Sequence, residues 1–323
     1  MSGRLKLLYV GGHGRSGSTL LDRVVGQIPG FTSVGELRYM WQRGVAEDQR
    51  CGCGSRFLQC EFWMAVGDEA FGGWSRLDVQ QVLHLQRAVD RYPLIPLIVA
   101  PWTVPAFRRR LERYSEYLLS VVAAIHRVSG SRVVIDSSMS PSHAFLLRGI
   151  AGVDLRMVHL VRDSRGVAHS WTKRVRRPEI VETDAYMPTY SPLNSGARWM
   201  AYNALFELLG RLGVPRLAVR YEEFLKDPRR QTIYIARHVG ETVGDEELAF
   251  LGPNEVELGV NHTAAGNPMR FKLGRIPLKL DEEWRFAMDP GQSRAVTLLT
   301  WPLLRRYGYA GRGSGHKLAG SPT

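Results

Sequence analysis

The residue types best suited to chemistry are concentrated in a glycine-rich stretch near the N-terminus, GGHGRSGST at residues 11–19. An apolar run over Leu7–Val10 precedes this stretch, and apolar residues at helical spacing follow it up to Ile28. A loop between a strand and a helix exposes backbone N–H groups at the helix N-terminus, where the helix dipole favours negative charge. The stretch is therefore predicted to bind a phosphate or a similar anion.

The loop follows the Walker phosphate-binding pattern only in part. Gly12 and Gly17 match the two glycines and Thr19 matches the hydroxyl position, but Ser18 stands where the pattern has lysine. ATP and GTP hydrolases use that lysine on the β and γ phosphates and the loop hydroxyl on magnesium. Arg15 is the only lysine or arginine in the loop, so we expect it to hold one phosphate-like group without a metal. The alternative is a glycine-rich turn that only packs a helix on a strand.

Four further apolar runs have the composition of buried strands, and each leads into polar residues. The runs are Phe31–Glu36, which ends in Gly-Glu, Arg132–Asp136, followed by two serines, Leu155–Val161, followed by Arg162, and Arg216–Arg220, followed by Tyr221. The carboxyl ends of parallel strands meet at the sheet edge where α/β proteins bind their ligands. The pattern predicts an α/β fold with a central parallel sheet and a site along one of its edges.

Two segments resemble the nucleotide-binding motifs of one enzyme family. GRSGSTLL, at residues 14–21, is similar to the 5′-phosphosulfate loop of sulfotransferases that use 3′-phosphoadenylyl sulfate (PAPS), in the bacterial subgroup with arginine where others have lysine. VHLVRDSRGVAHS, at residues 158–170, looks like the motif in which an arginine and a serine bind the 3′-phosphate of the same nucleotide. VRYEEF, at residues 219–224, and GNPMR, at residues 266–270, extend the resemblance.

The resemblance implies a P-loop NTPase-like three-layer α/β fold with a central parallel sheet and a helical insert, and PAPS as the cosubstrate with no metal. The nucleotide-binding residues that it implies are Gly14, Arg15, Ser16, Gly17, Ser18, Thr19, Arg162, Ser170, Tyr221 and Arg270. For Tyr221, a core hydroxyl is the alternative. The chain departs from the family at Met139, where many relatives have lysine, which leaves Ser137 and Ser138 as weak contacts.

Sulfuryl transfer to a hydroxyl needs a base, and three residues are candidates. Gly35-Glu36 resembles the Gly-Glu element that supplies the base in tyrosyl-protein and some bacterial carbohydrate sulfotransferases, which implies Glu36 as a catalytic residue. Arg15 and the loop N–H groups are expected to neutralise charge on the transferred group. The alternatives are His13 or His262 as the base, with Glu36 a surface or helix-capping carboxylate.

The three cysteines, Cys51, Cys53 and Cys60, lie together in the stretch CGCGSRFLQC. A structural zinc site needs four ligands, and neither a CxxC pair nor a histidine nearby in the sequence supplies the fourth. The cysteines are therefore predicted to be reduced thiols in a glycine-rich loop and no metal is expected, with a metal site, which their spacing also suggests, as the alternative.

The 323 residues are enough for one sizeable α/β core. We expect a single domain over residues 1–310, with a helical insert at about 75–130, a lid at about 175–196 and a disordered tail over 311–323. Helices are predicted at 77–92, 105–128 and 198–212, and residues 37–75 are predicted to be irregular. Trp102 is expected to cover the core, with a place in an acceptor pocket as the alternative.

The formal net charge of +12 implies attraction for anions. The arginines are scattered without a basic tail, so a nucleic-acid partner is not expected. No apolar run reaches 18 residues, so no membrane span is expected, and the odd number of cysteines argues for the cytoplasm.

The acceptor is expected to be a hydroxyl of a small molecule, a carbohydrate or a lipid, and the sequence leaves the oligomeric state open. Two rival functions remain. One is a P-loop kinase or NTPase, for which Asp136 could hold magnesium, and the other is a non-catalytic nucleotide-binding protein.

Overall fold

The structure is a computed structural model that describes residues 4–178, 180 and 185–309. Five parallel strands form the central sheet. They are β1 (Leu5–Gly12), β2 (Phe31–Ser33), β3 (Val133–Asp136), β4 (Val153–Val161) and β5 (Arg216–Arg220). Their order across the sheet is β2-β3-β1-β4-β5, which confirms the predicted parallel sheet. Because the strands are parallel, the loops after β1, β3 and β4 lie side by side at one edge.

Side chains that alternate along β1 fill two separate cores. Leu7 and Tyr9 belong to one buried cluster, and Leu8 and Val10 belong to the other. Successive side chains of a strand point to opposite faces of the sheet, so both faces need a cover of helices. The sheet is the middle of three layers.

Helices supply both outer layers. They are α1 (Ser18–Val25), α2 (Glu61–Phe71), α3 (Val79–Val89), α4 (Ile95–Val99), α5 (Pro105–Ser129), α6 (Pro141–Arg148), α7 (Ser164–Thr172), α8 (Pro192–Arg211), α9 (Tyr221–Lys226), α10 (Pro228–His238), α11 (Trp284–Ala287) and α12 (Pro290–Arg306). Helices α5, α6 and α8 contribute to the core on one face, and α1, α9 and α10 to the core on the other. Over the described ranges, none of these helices has the length and apolarity needed to cross a membrane.

The prediction that residues 37–75 are irregular is wrong, because a π-helix spans Met40–Ala46 and α2 occupies 61–71. Helix α2 buries Trp63, Val66 and Gly67. The indole of Trp74 packs so closely on Gly67 that a Cβ there would lie 2.5 Å from its Nε1. Apolar residues on the outer side of α2 conceal its helical period in the sequence.

Three other expectations need correction or fall outside the described residues. The predicted lid includes 179 and 181–184, which are not described, and its last five residues belong to α8, which begins at Pro192. Trp102 is 69% exposed, so it does not cover the core. The predicted tail, 311–323, also lies outside the described residues.

A long segment returns to the sheet edge between two short strands, β6 (Glu255–Leu258) and β7 (Gly274–Pro277), which pair antiparallel. Arg23 of α1 holds this segment through its backbone. Its guanidinium donates to the carbonyl oxygens of Gly259 at 2.6 Å and Arg270 at 2.8 Å. A buried arginine bonded to carbonyls fixes the segment against α1.

Candidate active site

The loop after β1 presents a row of backbone donors at the start of α1. None of the N–H groups from Gly14 to Thr19 donates a hydrogen bond to another residue that the structure describes. Gly17 precedes α1 with φ of +87°, and Ser18 and Thr19 form its first turn. Because N–H groups at a helix N-terminus need acceptors, the loop has the geometry of an anion site.

Two glycines of this loop are required by close neighbours. A Cβ on Gly17 would lie 2.5 Å from Cδ2 of Tyr221, so this ring packs directly on the loop. A Cβ on Gly14 would lie 2.8 Å from Cζ2 of Trp171, whose Nε1 donates to the Gly14 carbonyl oxygen at 3.1 Å. The aromatic rings therefore fix the course of the loop.

Arg15 has donor atoms that no described residue satisfies. Its Nε and Nη2 are buried without a hydrogen-bond partner, and its guanidinium lies over the ring of Trp171 at 5.1 Å. Its φ is +69°, an unusual value for a residue with a side chain. The hydroxyl of Ser16 is also buried without a partner. Buried donors without partners are costly, and an anionic group of a ligand would satisfy them.

Arg162, at the end of β4, lies beside this loop. Its Nη1 donates to the carbonyl oxygen of Arg15 at 3.1 Å, and its guanidinium lies over the ring of Tyr221 at 4.8 Å. Only 7% of its side chain is exposed. The structure therefore brings together Arg15, Arg162 and Tyr221, which are far apart in the sequence.

Asp281 is a neighbour of Arg162 that the sequence analysis missed. Its Oδ2 lies 3.0 Å from Nη2 of Arg162, and its side chain is 37% exposed. Burial alone would raise the pKa of Asp281, but the hydrogen bond and positive charge of Arg162, together with the charge of Lys173, outweigh burial, so the pKa lies below its usual value. No motif or spacing in the sequence identifies this carboxylate.

The remaining nucleotide candidates differ in position. Ser170 lies half-buried near the end of α7. Arg270 is buried, and its two terminal nitrogens donate to the carbonyl oxygens of Thr263 and Arg50, both at 2.6 Å. These hydrogen bonds hold the backbone at Thr263 and Arg50 in place. The role of Arg270 in binding a phosphate stays a prediction.

Glu36 lies at the same edge of the sheet, held by the segment that follows β6. Gly35 pairs with Ala265 in a parallel bridge, and the backbone N–H of Glu36 donates to the Ala265 oxygen at 3.0 Å. A Cβ on Gly35 would lie 2.5 Å from that oxygen, and its φ is +70°, which explains the glycine of the Gly-Glu element.

The environment of Glu36 makes its carboxylate more basic. Its Oε2 lies 3.7 Å from Nη1 of Arg43, and 24% of its side chain is exposed. Removal from water raises the pKa of Glu36 above its usual value, and Arg43 and Arg270 offset only part of that effect. A carboxylate with a raised pKa is a better base at neutral pH.

The pKa of His13, the alternative base, is lowered, whereas that of Glu36 is raised. Its ring is buried against Tyr202 at 5.1 Å and Trp171 at 5.9 Å. Burial, with Arg198 nearby, lowers the pKa of His13 to about 4. The geometry is that of a packing residue beneath the loop, with neutral imidazole at physiological pH.

A buried ionic network lies behind Glu36, and sequence reasoning missed it. His143 Nε2 lies 3.2 Å from Asp136 Oδ2, and its Nδ1 lies 3.5 Å from Asp90 Oδ2. Asp136 also accepts hydrogen bonds from Ser138 and from the backbone N–H of Leu37. Because its carboxylate is fully buried and bonded to these groups, Asp136 is poorly suited to hold magnesium.

Three tyrosines, Tyr39, Tyr92 and Tyr202, extend from Glu36 towards the phosphate loop, and we call them the aromatic wall. Burial and then the charge of Glu36 raise the pKa of Tyr39. Tyr202 donates its hydroxyl hydrogen to the Tyr92 oxygen at 2.6 Å, and the two rings are 5.0 Å apart. The sequence gives no signal for this wall because its members lie in separate elements.

The surroundings of the three cysteines correct the earlier reasoning about a fourth ligand. His262 Nδ1 lies 3.2 Å from Cys60 Sγ and 4.0 Å from Cys51 Sγ, although His262 and Cys60 are 202 residues apart. The histidine beside the thiols is distant in the sequence, and folding brings it to them.

Comparisons with known proteins bear on the family and the fold of this chain. The model of the sulfotransferase family matches residues 8–245. A sulfotransferase domain of the olefin synthase from Synechococcus PCC 7002 is similar over 97% of this chain and 98% of that chain, with 21% identity and a TM-score of 0.55. This likeness confirms the predicted P-loop NTPase-like three-layer fold.

Two more distant solved structures are also similar. The sulfotransferase domain from the curacin biosynthetic pathway has 14% identity and a TM-score of 0.48, over 92% of this chain and 97% of that chain. Retinol dehydratase, solved with retinol and PAP, has 15% identity and a TM-score of 0.39, over 94% of this chain and 83% of that chain. The comparison with curated proteins found no match.

Proposed function

This chain belongs to the sulfotransferase family, and we propose that it transfers the sulfuryl group of PAPS to a hydroxyl group, with Glu36 as the base. Arg15 and the N–H groups of the phosphate loop stabilise the charge that develops during transfer. Arg162 and Ser170 bind the 3′-phosphate. These roles follow the resemblance of the motifs and are supported by the positions of the side chains.

The observation that carries this proposal is the contact between the two basic residues of the motifs. Arg162 Nη1 lies 3.1 Å from the Arg15 carbonyl oxygen, so the loop after β1 and the end of β4 adjoin, which supports two neighbouring anion sites. Arg15 has buried donors without a partner among the described residues. A nucleotide with a phosphate on both the 5′ and the 3′ carbon matches two adjoining basic sites better than one phosphate does.

PAPS, when bound, supplies a sulfuryl group joined through oxygen to its 5′-phosphate. Glu36 accepts the proton of the acceptor hydroxyl as that oxygen forms its bond to sulfur. Arg15 and the loop N–H groups stabilise the negative charge that collects on the phosphate oxygen as its bond to sulfur breaks. These groups are fixed before the reaction, so they need no reorganisation during it.

For the acceptor, the proposal keeps a small molecule, a carbohydrate or a lipid. The aromatic wall supplies ring surface against which an apolar face of the acceptor packs. Arg43, whose guanidinium lies over the Tyr39 ring at 4.4 Å, adds positive charge next to Glu36. The cytoplasmic location, the bacterial origin and the single domain stay predictions from the sequence.

The decisive assay uses PAPS labelled in its sulfuryl group and a panel of sugar, lipid and phenolic hydroxyl acceptors. The expected result is labelled product together with 3′,5′-adenosine bisphosphate (PAP), in equal amounts. PAP binding without transfer to any acceptor would favour a non-catalytic nucleotide-binding protein. Magnesium-dependent ATP turnover would favour a P-loop kinase or NTPase. Ser18 in the lysine position and the buried contacts of Asp136 argue against that function.

A further inference from the structure

We propose that Cys51, Cys53, Cys60 and His262 form a structural zinc site. The metal-binding atoms of these four residues all lie within 4.8 Å of one another. Cys51 and Cys60 are buried, and the other two side chains are partly buried. Three thiols and one imidazole are a ligand set that zinc takes in structural sites.

Three separations among the four residues are close to those around a tetrahedral ion. With Zn–S near 2.3 Å and Zn–N near 2.0 Å, tetrahedral geometry places two sulfurs about 3.8 Å apart and a sulfur and a nitrogen about 3.5 Å apart. The observed Sγ–Sγ distance between Cys53 and Cys60 is 3.7 Å. The Nδ1 of His262 lies 3.2 Å from one sulfur and 4.0 Å from another. Thiolate ligands favour zinc over magnesium or calcium, which take oxygen ligands.

Neighbouring groups hold the histidine in position. The Nε1 of Trp63 donates to the carbonyl oxygen of His262 at 2.8 Å. The ring of Phe62 stacks on the imidazole, with centroids 5.0 Å apart and planes at 20°. Such supporting contacts orient a ligand before the metal binds.

The cysteine loop is fitted just as closely to the segment that carries His262. The N–H of Gly52 donates to the Thr263 carbonyl oxygen at 3.0 Å. A Cβ on Gly52 would lie 2.0 Å from Oδ1 of Asn261, so only glycine allows this approach. The glycine between Cys51 and Cys53 therefore brings the two thiols against His262.

The ion would link the cysteine loop to a segment that supports Glu36. The segment with His262 continues into Ala265, which accepts the hydrogen bond of the Glu36 N–H. Closing the ligand set ties this segment to the cysteine loop, and metal binding to such a set contributes directly to folding. Zinc thus stabilises the segment around Ala265 that holds the backbone of Glu36, and it does not contact the substrate. The proposed zinc site does not depend on the reaction proposed above.

The first test measures metal in the wild-type chain, so it does not require any variant to fold. Protein made with zinc in the medium and purified under reducing conditions is expected to hold one zinc ion per chain. A mercurial reagent is expected to release that zinc in step with modification of the three cysteines. Cobalt exchanged for zinc is expected to give the absorption of a tetrahedral thiolate complex.

The second test uses variants with a matched control. Cys60→Ser and His262→Ala are expected to lower zinc affinity by more than about tenfold, whereas His84→Ala, at an exposed histidine of α3, should keep it. After chelation, amide hydrogen exchange at Gly35 and Glu36 should become faster. The proposal is overturned if wild-type protein binds neither zinc nor cobalt stoichiometrically, whether its thiols then react freely or two of them form a disulfide.

Discussion

Replacing Glu36 with glutamine separates nucleotide binding from sulfuryl transfer, the two tasks proposed for the site. The amide keeps the size of the side chain and removes its ability to accept a proton, while the backbone hydrogen bond to Ala265 stays. The phosphate loop and Arg162 are unchanged. The variant should therefore bind PAP normally and fail in the transfer step.

The expected loss of kcat is much larger than the expected change in PAP affinity, so the two can be distinguished. Loss of a general base lowers kcat by about 10²–10⁴-fold, or about 3–5 kcal/mol of barrier. The substitution also removes the ion pair with Arg43, at 3.7 Å and with about a quarter of each side chain exposed. Such a pair contributes at most about 1 kcal/mol, so its loss changes PAP affinity by no more than about fivefold.

The assay compares initial rates of labelled sulfuryl transfer with PAP affinity from calorimetry. Glu47→Gln is the control, since Glu47 is an exposed carboxylate of the same segment. Because the pKa of Glu36 is raised, wild-type kcat should fall as the pH drops through that pKa, and the variant should lack this decline. If Glu36→Gln turns over within a few-fold of wild type, Glu36 is not the base.

Three further changes probe the nucleotide site and the network behind it. Arg162→Ala should weaken PAP by more than about tenfold and leave 5′-AMP within about threefold, measured by calorimetry, because only PAP has the 3′-phosphate. Gly17→Ala should lower the free energy of unfolding by about 1–3 kcal/mol in urea titrations and weaken PAP, since its φ is +87° and a Cβ would meet Tyr221 at 2.5 Å. Burial lowers the pKa of His143, but its hydrogen bond to Asp136 and the negative charges of Asp136 and Asp90 raise it to about 9. This stabilisation, on the order of 3 kcal/mol, should be complete below pH 6.5 and lost as the pH rises through 9. His143→Gln should remove that pH dependence of the unfolding free energy.

Each of these results has an outcome that contradicts it. Equal losses of PAP and 5′-AMP in Arg162→Ala would break the assignment of the 3′-phosphate site, with Arg275→Ala, at a side chain 75% exposed, as the control. Unchanged stability in Gly17→Ala would mean that the Tyr221 ring moves aside at no cost. A stability profile of His143→Gln that still declines above pH 6.5 would place the titrating group elsewhere.

Local patterns were enough to predict the sheet and the loop. The apolar runs around Leu8 and Val158 are short, continuous and followed by polar residues, which is the signature of strands buried on both faces. The positions of the two glycines in the loop follow from backbone needs that any such loop shares. The contact of Arg15 with Arg162 then follows from the adjacency of β1 and β4.

Long-range partners were not predictable, because no local pattern encodes them. His262 joins the cysteines across 202 residues, and Asp281 reaches Arg162 across 119. Helix α2 was missed for a different reason, since Met64 is an apolar residue on its exposed side and Phe62 packs against His262, and together they blur the 3.6-residue period. Packing between distant segments, and not local propensity, decides the contacts of His262 and Asp281.

A crystal structure of the chain with PAP tests whether one nucleotide joins the two basic sites. The expected result has the 5′-phosphate within hydrogen-bond distance of the N–H groups of residues 14–19 and of Arg15, and the 3′-phosphate bound by Arg162 and Ser170. PAP bound elsewhere, or with its 3′-phosphate in solvent away from Arg162, would contradict the proposed nucleotide-binding site.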